Sequence, residues 1–373
     1  MNMTMTWRMA IALLAMEAWG SVVEAAELKL VSSLSLGTRA HHLVLSDDEN
    51  TAYVATDLGL TIVDVSNRAN PVKVGSVRAG TKALGIALKG THVYLATSSP
   101  DLVVVDASTP SAPAVVASRS LPNYGRDVAV KGDVLYVGSW GGEVYVYDLK
   151  DNPADPQLHR VLGIPAWNAG NPQGYLDKLN AYITAGNAKV DGLSVVGDRL
   201  SIVEGNYGRL YYYGVGNGNG TALDPKFLGT HFASYALQVQ NSPDNEFVYI
   251  LGTFGNASNV FSVPTSILAP NIETRQPTCA VCGTFKIPAT DYGGITVSAN
   301  GKYVVYIAGK IGVVQVLDVS NPPAITDAGS YPIPGHRSKS FETMGVKTTL
   351  DNYIITAAGA LGLQVFSFPH LAD

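Results

Sequence analysis

The stretch Leu60-Thr61-Ile62-Val63-Asp64-Val65-Ser66-Asn67, followed by Pro71, joins an apolar strand to an Asp-containing turn. Copies of this phrase recur along the chain: Leu102-Val103-Val104-Val105-Asp106-Ala107-Ser108, Val144-Tyr145-Val146-Tyr147-Asp148-Leu149 and Val314-Gln315-Val316-Leu317-Asp318-Val319-Ser320-Asn321-Pro322. A repeat of about 40 residues with the periodicity of strands is typical of a stacked or radial all-β array.

A second strand, which has a Tyr at its centre in most copies, recurs seven times along the chain. Its copies allow the repeating units to be counted. Its seven copies are Ala52-Tyr53-Val54-Ala55, Val93-Tyr94-Leu95-Ala96, Leu135-Tyr136-Val137-Gly138, Leu200-Ser201-Ile202-Val203, Val248-Tyr249-Ile250-Leu251, Val305-Tyr306-Ile307-Ala308 and Tyr353-Ile354-Ile355-Thr356. Evenly spaced strands with short turns predict an all-β fold, a seven-bladed β-propeller of four-stranded antiparallel blades.

The two ends of the chain complement each other. The last unit stops after its third strand, and the apolar segment 27–36 has no partner before it in the sequence. We therefore expect the N-terminal strand to complete blade 7, which would close the ring and remove an exposed sheet edge.

The first 25 residues differ from the rest. Arg8 precedes a short apolar run, and Val23-Glu24-Ala25 fits a cleavage site before Ala26. This pattern predicts a signal peptide over residues 1–25, and hence a secreted, periplasmic or cell-surface protein. The mature chain, residues 26–373, is then a single propeller with no membrane span and no lysine- or arginine-rich run suited to nucleic acid. We expect it to be a monomer.

The phrase Ile62-Val63-Asp64-Val65-Ser66-Asn67 and its later copies resemble the LVIVD-repeat family of exported seven-bladed propellers. The resemblance covers blades 1, 2, 3 and 6 and implies fold and export, but it brings no catalytic residues. Asp64, Asp106, Asp148 and Asp318 are interpreted as turn residues, because an Asp side chain readily accepts hydrogen bonds from the backbone that follows it.

Two insertions interrupt the regular units. Residues 165–187 join blades 3 and 4 on the upper face, defined as the face with the blade-to-blade connections and the turns between second and third strands. Residues 264–282 lie on the opposite, lower face and contain the only cysteines, Cys279 and Cys282. In an exported protein this C-x-x-C spacing predicts a local disulfide; redox catalysis is the alternative.

A binding site is expected at the upper mouth of the central channel, by analogy with other propellers. Several first strands and upper turns place polar or aromatic residues there: His41, His42, Tyr124, Arg126, Asp127, Trp140, Asp191, Glu204, Tyr207 and Tyr235. In the alignment of the repeats, Tyr235 and Ala236 of blade 5 occupy the places of His41 and His42 in blade 1. Charges in such a place are either paired with one another or used to bind a ligand. No cofactor or metal is predicted, because adjacent His41 and His42 face opposite sides of a regular strand.

Two functions fit these residues. The first is a binding or scaffold module for a polar small molecule, a glycan or a cell-surface protein. The second is a hydrolase or polysaccharide lyase, with His42 or His41 as base, Arg126 neutralising a carboxylate, Tyr124 or Tyr235 as acid and Asp127 beside them. Convergence of these groups in one cavity would favour the enzyme, and pairing across the seams between blades would favour the module.

Overall fold

The computed structural model describes residues 27–163, 189–205, 209–216, 220–232, 236–254, 257–268, 282–287, 293–309, 311–336 and 345–372. Its strands form seven four-stranded antiparallel sheets. The first strand of each sheet packs beside the first strands of the two neighbouring sheets, so that the sheets form a ring. This is the predicted seven-bladed propeller. No helix that is long and apolar enough to cross a membrane occurs among these residues.

The first three blades are regular. Blade 1 contains β2 (Ala40–Leu45), β3 (Thr51–Thr56), β4 (Gly59–Asp64) and β5 (Val72–Arg78). Blade 2 contains β6 (Ala83–Lys89), β7 (His92–Thr97), β8 (Leu102–Asp106) and β9 (Ala114–Arg119). Blade 3 contains β10 (Gly125–Lys131), β11 (Val134–Ser139), β12 (Glu143–Asp148) and β13 (Gln157–Gly163).

The other blades follow the same order from the channel outward. Blade 4 contains β14 (Val190–Val196), β15 (Arg199–Glu204), β16 (Arg209–Gly214) and β17 (Lys226–Phe232). Blade 5 contains β18 (Ala236–Asn241), β19 (Phe247–Phe254), β20 (Ala257–Pro264) and β21 (Gly283–Ile287), with a short 3-10 turn at Thr265–Ile267. Blade 6 contains β22 (Ile295–Val297), β23 (Tyr303–Ala308), β24 (Val313–Asp318) and β25 (Thr326–Pro332), with a 3-10 turn at Pro322–Ala324.

Blade 7 takes strands from both ends of the chain. It is built from β26 (Val346–Thr348), β27 (Tyr353–Ala357), β28 (Leu363–Ser367) and β1 (Lys29–Leu34). β1 pairs antiparallel with β28 from Lys29 opposite Ser367 to Leu34 opposite Leu363, with one bulge. The predicted closure by the N-terminal strand is confirmed.

The repeated Asp closes the turn between the third and fourth strands. The side chains of Asp64, Asp106, Asp148 and Asp318 each accept a hydrogen bond from the backbone N–H two residues further on, at 2.8 or 2.9 Å. The residue directly after each Asp is buried. These carboxylates are thus structural, as the turn chemistry predicted.

The repeated Tyr joins neighbouring blades. The buried Tyr94 of blade 2 donates its hydroxyl hydrogen to the Pro153 carbonyl of blade 3 at 2.8 Å, and Tyr136 of blade 3 donates to Ala222 of blade 4 at 2.5 Å. Around these contacts the apolar faces of adjacent blades pack into shared clusters, such as Ile62 of blade 1 with Val93 of blade 2. The core of the protein therefore lies in the seams between blades.

Of the two insertions, residues 165–187 lie outside the described residues. The second interrupts blade 5 between β20 and β21, and its residues 269–281 also lie outside the described part. Cys282 directly precedes β21, whereas Cys279 is not described. The disulfide between them stays a prediction.

The seam between blades 1 and 7 is held by Arg68, in the turn after β4. Its Nε and Nη2 donate to the carboxylate of Asp351 in blade 7, both at 3.2 Å. Its Nη1 donates to the carbonyl oxygens of Glu49 and Val65, at 2.8 and 2.7 Å. The Arg68 carbonyl accepts a hydrogen bond from Ser32 of β1 at 2.6 Å. One side chain therefore ties the two ends of the ring together.

We expect Arg68→Met to lower the free energy of unfolding by about 2 kcal/mol, because buried backbone carbonyls lose their donors. Urea denaturation followed by circular dichroism measures this loss. Arg78→Met, at an exposed position of β5 in the same blade, is the matched control and should change stability by less than about 0.5 kcal/mol. Equal effects of the two variants would contradict the assigned role of Arg68.

Candidate functional site

The first strands of blades 1–5 carry a β-bulge at an equivalent position near the upper mouth. The bulged residues are His41, Leu84, Arg126, Asp191 and Leu237, and they are followed by His42, Gly85, Asp127, Gly192 and Gln238. A bulge leaves one residue unpaired and re-aims its side chain. The local backbone thus places two successive polar side chains at the mouth in blades 1 and 3.

The positions of these residues agree with the alignment of the sequence repeats in blades 1–4 and differ from it in blade 5. There Ala236 pairs with Gly252, as Ala40 pairs with Thr56 in blade 1. Leu237 and Gln238 therefore occupy the two places predicted for Tyr235 and Ala236, and the alignment was wrong by two residues. Tyr235 itself, like Tyr207, lies outside the described residues.

Arg126 and Asp191 form an ion pair across the seam between blades 3 and 4. The Arg126 Nε lies 3.1 Å from the Asp191 Oδ1, and the side chains are only 6% and 5% exposed. Burial raises the pKa of the Asp191 carboxyl, and the Arg126 charge opposes that rise. Gln238 of blade 5 donates to the Asp191 backbone carbonyl at 3.0 Å. This pairing offsets the cost of burying both charges.

Aromatic rings cover this ion pair. The ring centroids of Tyr124 and Trp140 lie 4.6 Å apart. The Arg126 Cζ lies 5.4 Å from the Trp140 centroid, and the Lys189 Nζ lies 4.3 Å from it. Cations at these distances are attracted to the ring. Tyr124, Arg126, Trp140 and Asp191 were predicted as site residues; Lys189 joins them. We call these five residues the mouth cluster.

Asp127 is anchored across the same seam. Its Oδ1 accepts from the Val128 N–H at 2.9 Å, and its Oδ2 accepts from the Leu193 N–H of blade 4 at 2.8 Å. Burial raises the pKa of Asp127 to about 6, although both hydrogen bonds and the Arg126 charge oppose this rise. Asp127 packs against Gly85 of blade 2, where a Cβ would lie 2.7 Å from the Asp127 Cα. Both of its oxygens are thus held by the backbone.

The two histidines have different surroundings. His41 is fully buried, and its Nε2 lies 2.7 Å from the Asp57 Oδ1 in a hydrogen bond. His42 is partly exposed. Burial, together with the positive charges of Lys347, Arg126 and His41, lowers the pKa of His42 to about 3. His42 is therefore a neutral imidazole at physiological pH.

The remaining predicted residue, Glu204, is buried at the end of β15. Among the described residues no group of three His, Cys, Asp or Glu side chains could hold a metal ion. Lys347, whose charge acts on both His42 and Asp127, was not among the predicted site residues. Its signal was a lysine at a position of the first strand that carries no charge in the other blades, as at Val44, Ala87 and Thr296.

The fold and this arrangement define a seven-bladed β-propeller with a polar channel. The family model of the LVIVD repeat matches residues 42–79, 80–119, 123–161 and 295–332. These segments correspond to blades 1, 2, 3 and 6, so the chain carries LVIVD repeats in the four blades where the sequence resemblance placed them. The comparison with curated proteins found no match.

Solved structures support the fold at low identity. The β-propeller domain of Cps50 (Swd1) from Myceliophteria thermophila aligns with a TM-score of 0.63 and 8% identity, over 91% of this chain and 99% of that one. A putative 6-phosphogluconolactonase from Bacteroides fragilis gives 0.59 and 11%, over 84% and 99%. The WD40 β-propeller domain of Doa1 gives 0.62 and 12%, over 92% and 97%. At such identities the likeness concerns the fold alone.

Asp191→Asn should lower the free energy of unfolding by about 3 kcal/mol, because it removes the opposite charge beside a buried guanidinium. In the double variant Arg126→Met/Asp191→Leu we expect stability within about 1 kcal/mol of the wild type, since no charge then remains buried there. Urea denaturation of the wild type, Asp191→Asn and the double variant tests the pair. A double variant as unstable as Asp191→Asn would contradict an ion pair with a mainly structural role.

The low pKa of His42 predicts that the folded protein loses stability as the pH falls. The unfolded chain protonates this histidine near pH 6.5, whereas the folded chain does so only near pH 3. The unfolded state therefore binds the additional proton in this interval, and stability falls as the pH falls through it. Asp127 acts in the opposite sense between about pH 4 and 6, because its pKa is higher in the folded protein.

His42→Gln should remove the contribution of this histidine to the pH dependence of the free energy of unfolding. That contribution approaches about 1.4 kcal/mol per pH unit. Free energies of unfolding at several values between pH 7 and 4.5 measure the slope. His92→Gln alters a histidine outside the channel and should reproduce the wild-type profile. If the His42→Gln profile were identical to that of the wild type, His42 would be excluded as the source of the acid sensitivity.

Proposed function

We propose that the protein is an exported binding module whose mouth cluster contacts a polar ligand. The observation that carries this proposal is the pairing of Arg126 with Asp191 across the seam between blades 3 and 4. A residue that neutralises a substrate carboxylate must be free to do so, whereas this guanidinium already faces a buried carboxylate. This pairing supports an interpretation of the mouth as a rigid surface that recognises a ligand.

The same geometry weighs against the enzyme alternative. The base candidate His41 is engaged by Asp57 at 2.7 Å, and both oxygens of Asp127 accept backbone N–H groups. General acid–base catalysis needs a group within about 3 Å of the proton that it moves. Arg126 and Asp127 lie at the seam between blades 3 and 4, whereas His41 is paired within blade 1, and each of these groups already has a partner in the protein.

The chemistry of the mouth cluster suggests the class of ligand. Tyr124 and Trp140 are partly exposed and offer apolar ring faces. Lys189, whose Nζ lies 4.3 Å from the Trp140 centroid, adds a positive charge beside them. Rigid aromatic rings beside a few polar groups suit a sugar ring or another polar ligand with one apolar face.

The predicted signal peptide over residues 1–25 supports export. A disulfide between Cys279 and Cys282 would fit the same oxidising compartment. We propose the secreted, periplasmic or cell-surface location on these grounds.

Isothermal titration of the purified protein with neutral and uronic-acid oligosaccharides tests this function. We expect at least one oligosaccharide to bind, and Trp140→Ala to weaken that binding at least tenfold through the loss of stacking. Lys189→Met should weaken uronic-acid binding, while Lys150→Met on the lower face serves as the matched control. Absence of binding to the whole panel, or unchanged binding by Trp140→Ala, would overturn the proposal. Product formed from the same oligosaccharides, and lost in Arg126→Met, would favour the lyase instead.

A further inference from the structure

Four residues occupy one equivalent place at the upper mouth, directly before the first strands of blades 1–4. They are Arg39, Lys82, Tyr124 and Lys189. The backbone carbonyl oxygen of each accepts a hydrogen bond, at 3.0 or 3.1 Å, from the residue that follows the second strand of the same blade: the N–H groups of Asp57, Ser98, Trp140 and Gly205. The same backbone contact thus places three cations and one aromatic ring at corresponding positions around the channel.

We call Arg39, Lys82 and Lys189 the basic arc. The Arg39 side chain is 50% exposed, and Lys82 and Lys189 are partly exposed. The chain as a whole carries a formal net charge of −5, so three cations at equivalent places do not follow from its composition. Cations grouped in this way raise the local concentration of anions. The corresponding residues of blades 5–7 lie outside the described residues.

Most carboxylates near the basic arc are held by neighbouring groups. Among the described residues, the upper turns of blades 1–3 contain Asp57, Asp101 and Glu143. Asp101 is buried and accepts a hydrogen bond from the Leu121 N–H at 2.7 Å. Glu143 accepts one from the Ser139 hydroxyl at 2.6 Å. These two contacts direct the carboxylates toward their own blades.

Asp57 lies beside the cations of blades 1 and 2. Its Oδ2 is 4.0 Å from the Arg39 Nε, and its Oδ1 is 2.7 Å from the Nε2 of the buried His41. The hydrogen bond with His41, together with the charges of His41, Lys82 and Arg39, lowers the pKa of the Asp57 carboxyl against the opposing effect of burial. One ionised carboxylate therefore lies beside two cations, and the basic arc keeps a net positive charge.

The aromatic pair of blade 3 lies between the cations of the basic arc. In ring order the mouth presents Arg39, Lys82, the rings of Tyr124 and Trp140, and then Lys189, whose Nζ is 4.3 Å from the Trp140 centroid. The first strands of these blades pack side by side. A ligand that contacts all three cations must therefore extend over four neighbouring blades, and it is longer than the single ring that the aromatic pair accommodates.

We propose that the upper mouth binds an acidic oligosaccharide that lies along the upper turns of blades 1–4. One sugar ring packs against Tyr124 and Trp140, and carboxylate or sulfate groups along the chain contact Lys189, Lys82 and Arg39. This inference rests on the proposed function, which places a polar ligand at the mouth cluster. It extends that site to blades 1 and 2 and assigns repeated negative charge to the ligand.

Calorimetric titration of the purified mature protein with hexagalacturonate and with its fully methyl-esterified, neutral counterpart tests the need for charge. We expect the acid to bind at least tenfold more tightly than the ester. Arg39→Met/Lys82→Met should weaken binding of the acid about tenfold, because it removes two exposed cations. Lys73→Met/Lys150→Met removes two exposed cations outside the mouth and, as the matched control, should bind as the wild type does.

Measurements on the wild type do not depend on the folding of any variant. Its affinity for hexagalacturonate should fall with rising salt, because exposed charges are screened. Digalacturonate should bind at least tenfold more weakly, because it cannot span four blades. In backbone amide spectra hexagalacturonate should shift the signals of Asp57 and Ser98 as well as that of Trp140. A sulfated galactan hexasaccharide, titrated in parallel, distinguishes sulfate from carboxylate as the charged group.

The outcomes separate this inference from the proposed function. Binding that depends on Trp140 but is equal for acid and ester, or unchanged in Arg39→Met/Lys82→Met, or without shifts at Asp57 and Ser98, would overturn the inference alone. Absence of binding to every oligosaccharide would overturn both. Linear polyphosphate has repeated charge but no sugar ring and should bind more weakly than the hexasaccharides; tighter binding would assign the basic arc to another polyanion and overturn the inference.

Discussion

The antiparallel pairing of β1 with β28 is the constraint on which the rest of the structure depends. It joins residues more than 300 positions apart in the chain, opposing Lys29 to Ser367 and Leu34 to Leu363. Without it, β28 would be an unpaired edge and blade 7 would have no outer strand. Closure also fixes the circumference, because each first strand must contact the first strands on both sides. The channel and its mouth exist only because the ring is closed.

The closed ring brings the first strands of adjacent blades so near to one another that large side chains need a small neighbour. Gly85 packs against Asp127, and Gly345 packs against His42; at each glycine a Cβ would lie 2.7 Å from the Cα of the partner residue. Asp127 and His42 are thus accommodated because the adjacent blade has a glycine beside each of them. Blades that look alike in sequence are in fact adapted to particular neighbours.

The sequence predicts those features that depend on local chemistry or on the ends of the chain. The Asp–backbone turns, the blade count and the closure by β1 all follow from residues a few positions apart or from unpaired termini. The seams were not predictable in this way, because the contact between Arg126 and Asp191 spans 65 residues and depends on how two sheets twist together. The bulges were not predicted for the same reason: in blade 5 the bulged residue is Leu237, two residues beyond Tyr235, which the alignment of the repeats had placed there.

Lys347 shows a second reason why the channel could not be fully predicted. Its strand β26 has only three residues, too few for a periodic pattern to show which side chains face the channel. Its role follows from what surrounds it in space, because its charge acts on His42 of blade 1 and Asp127 of blade 3.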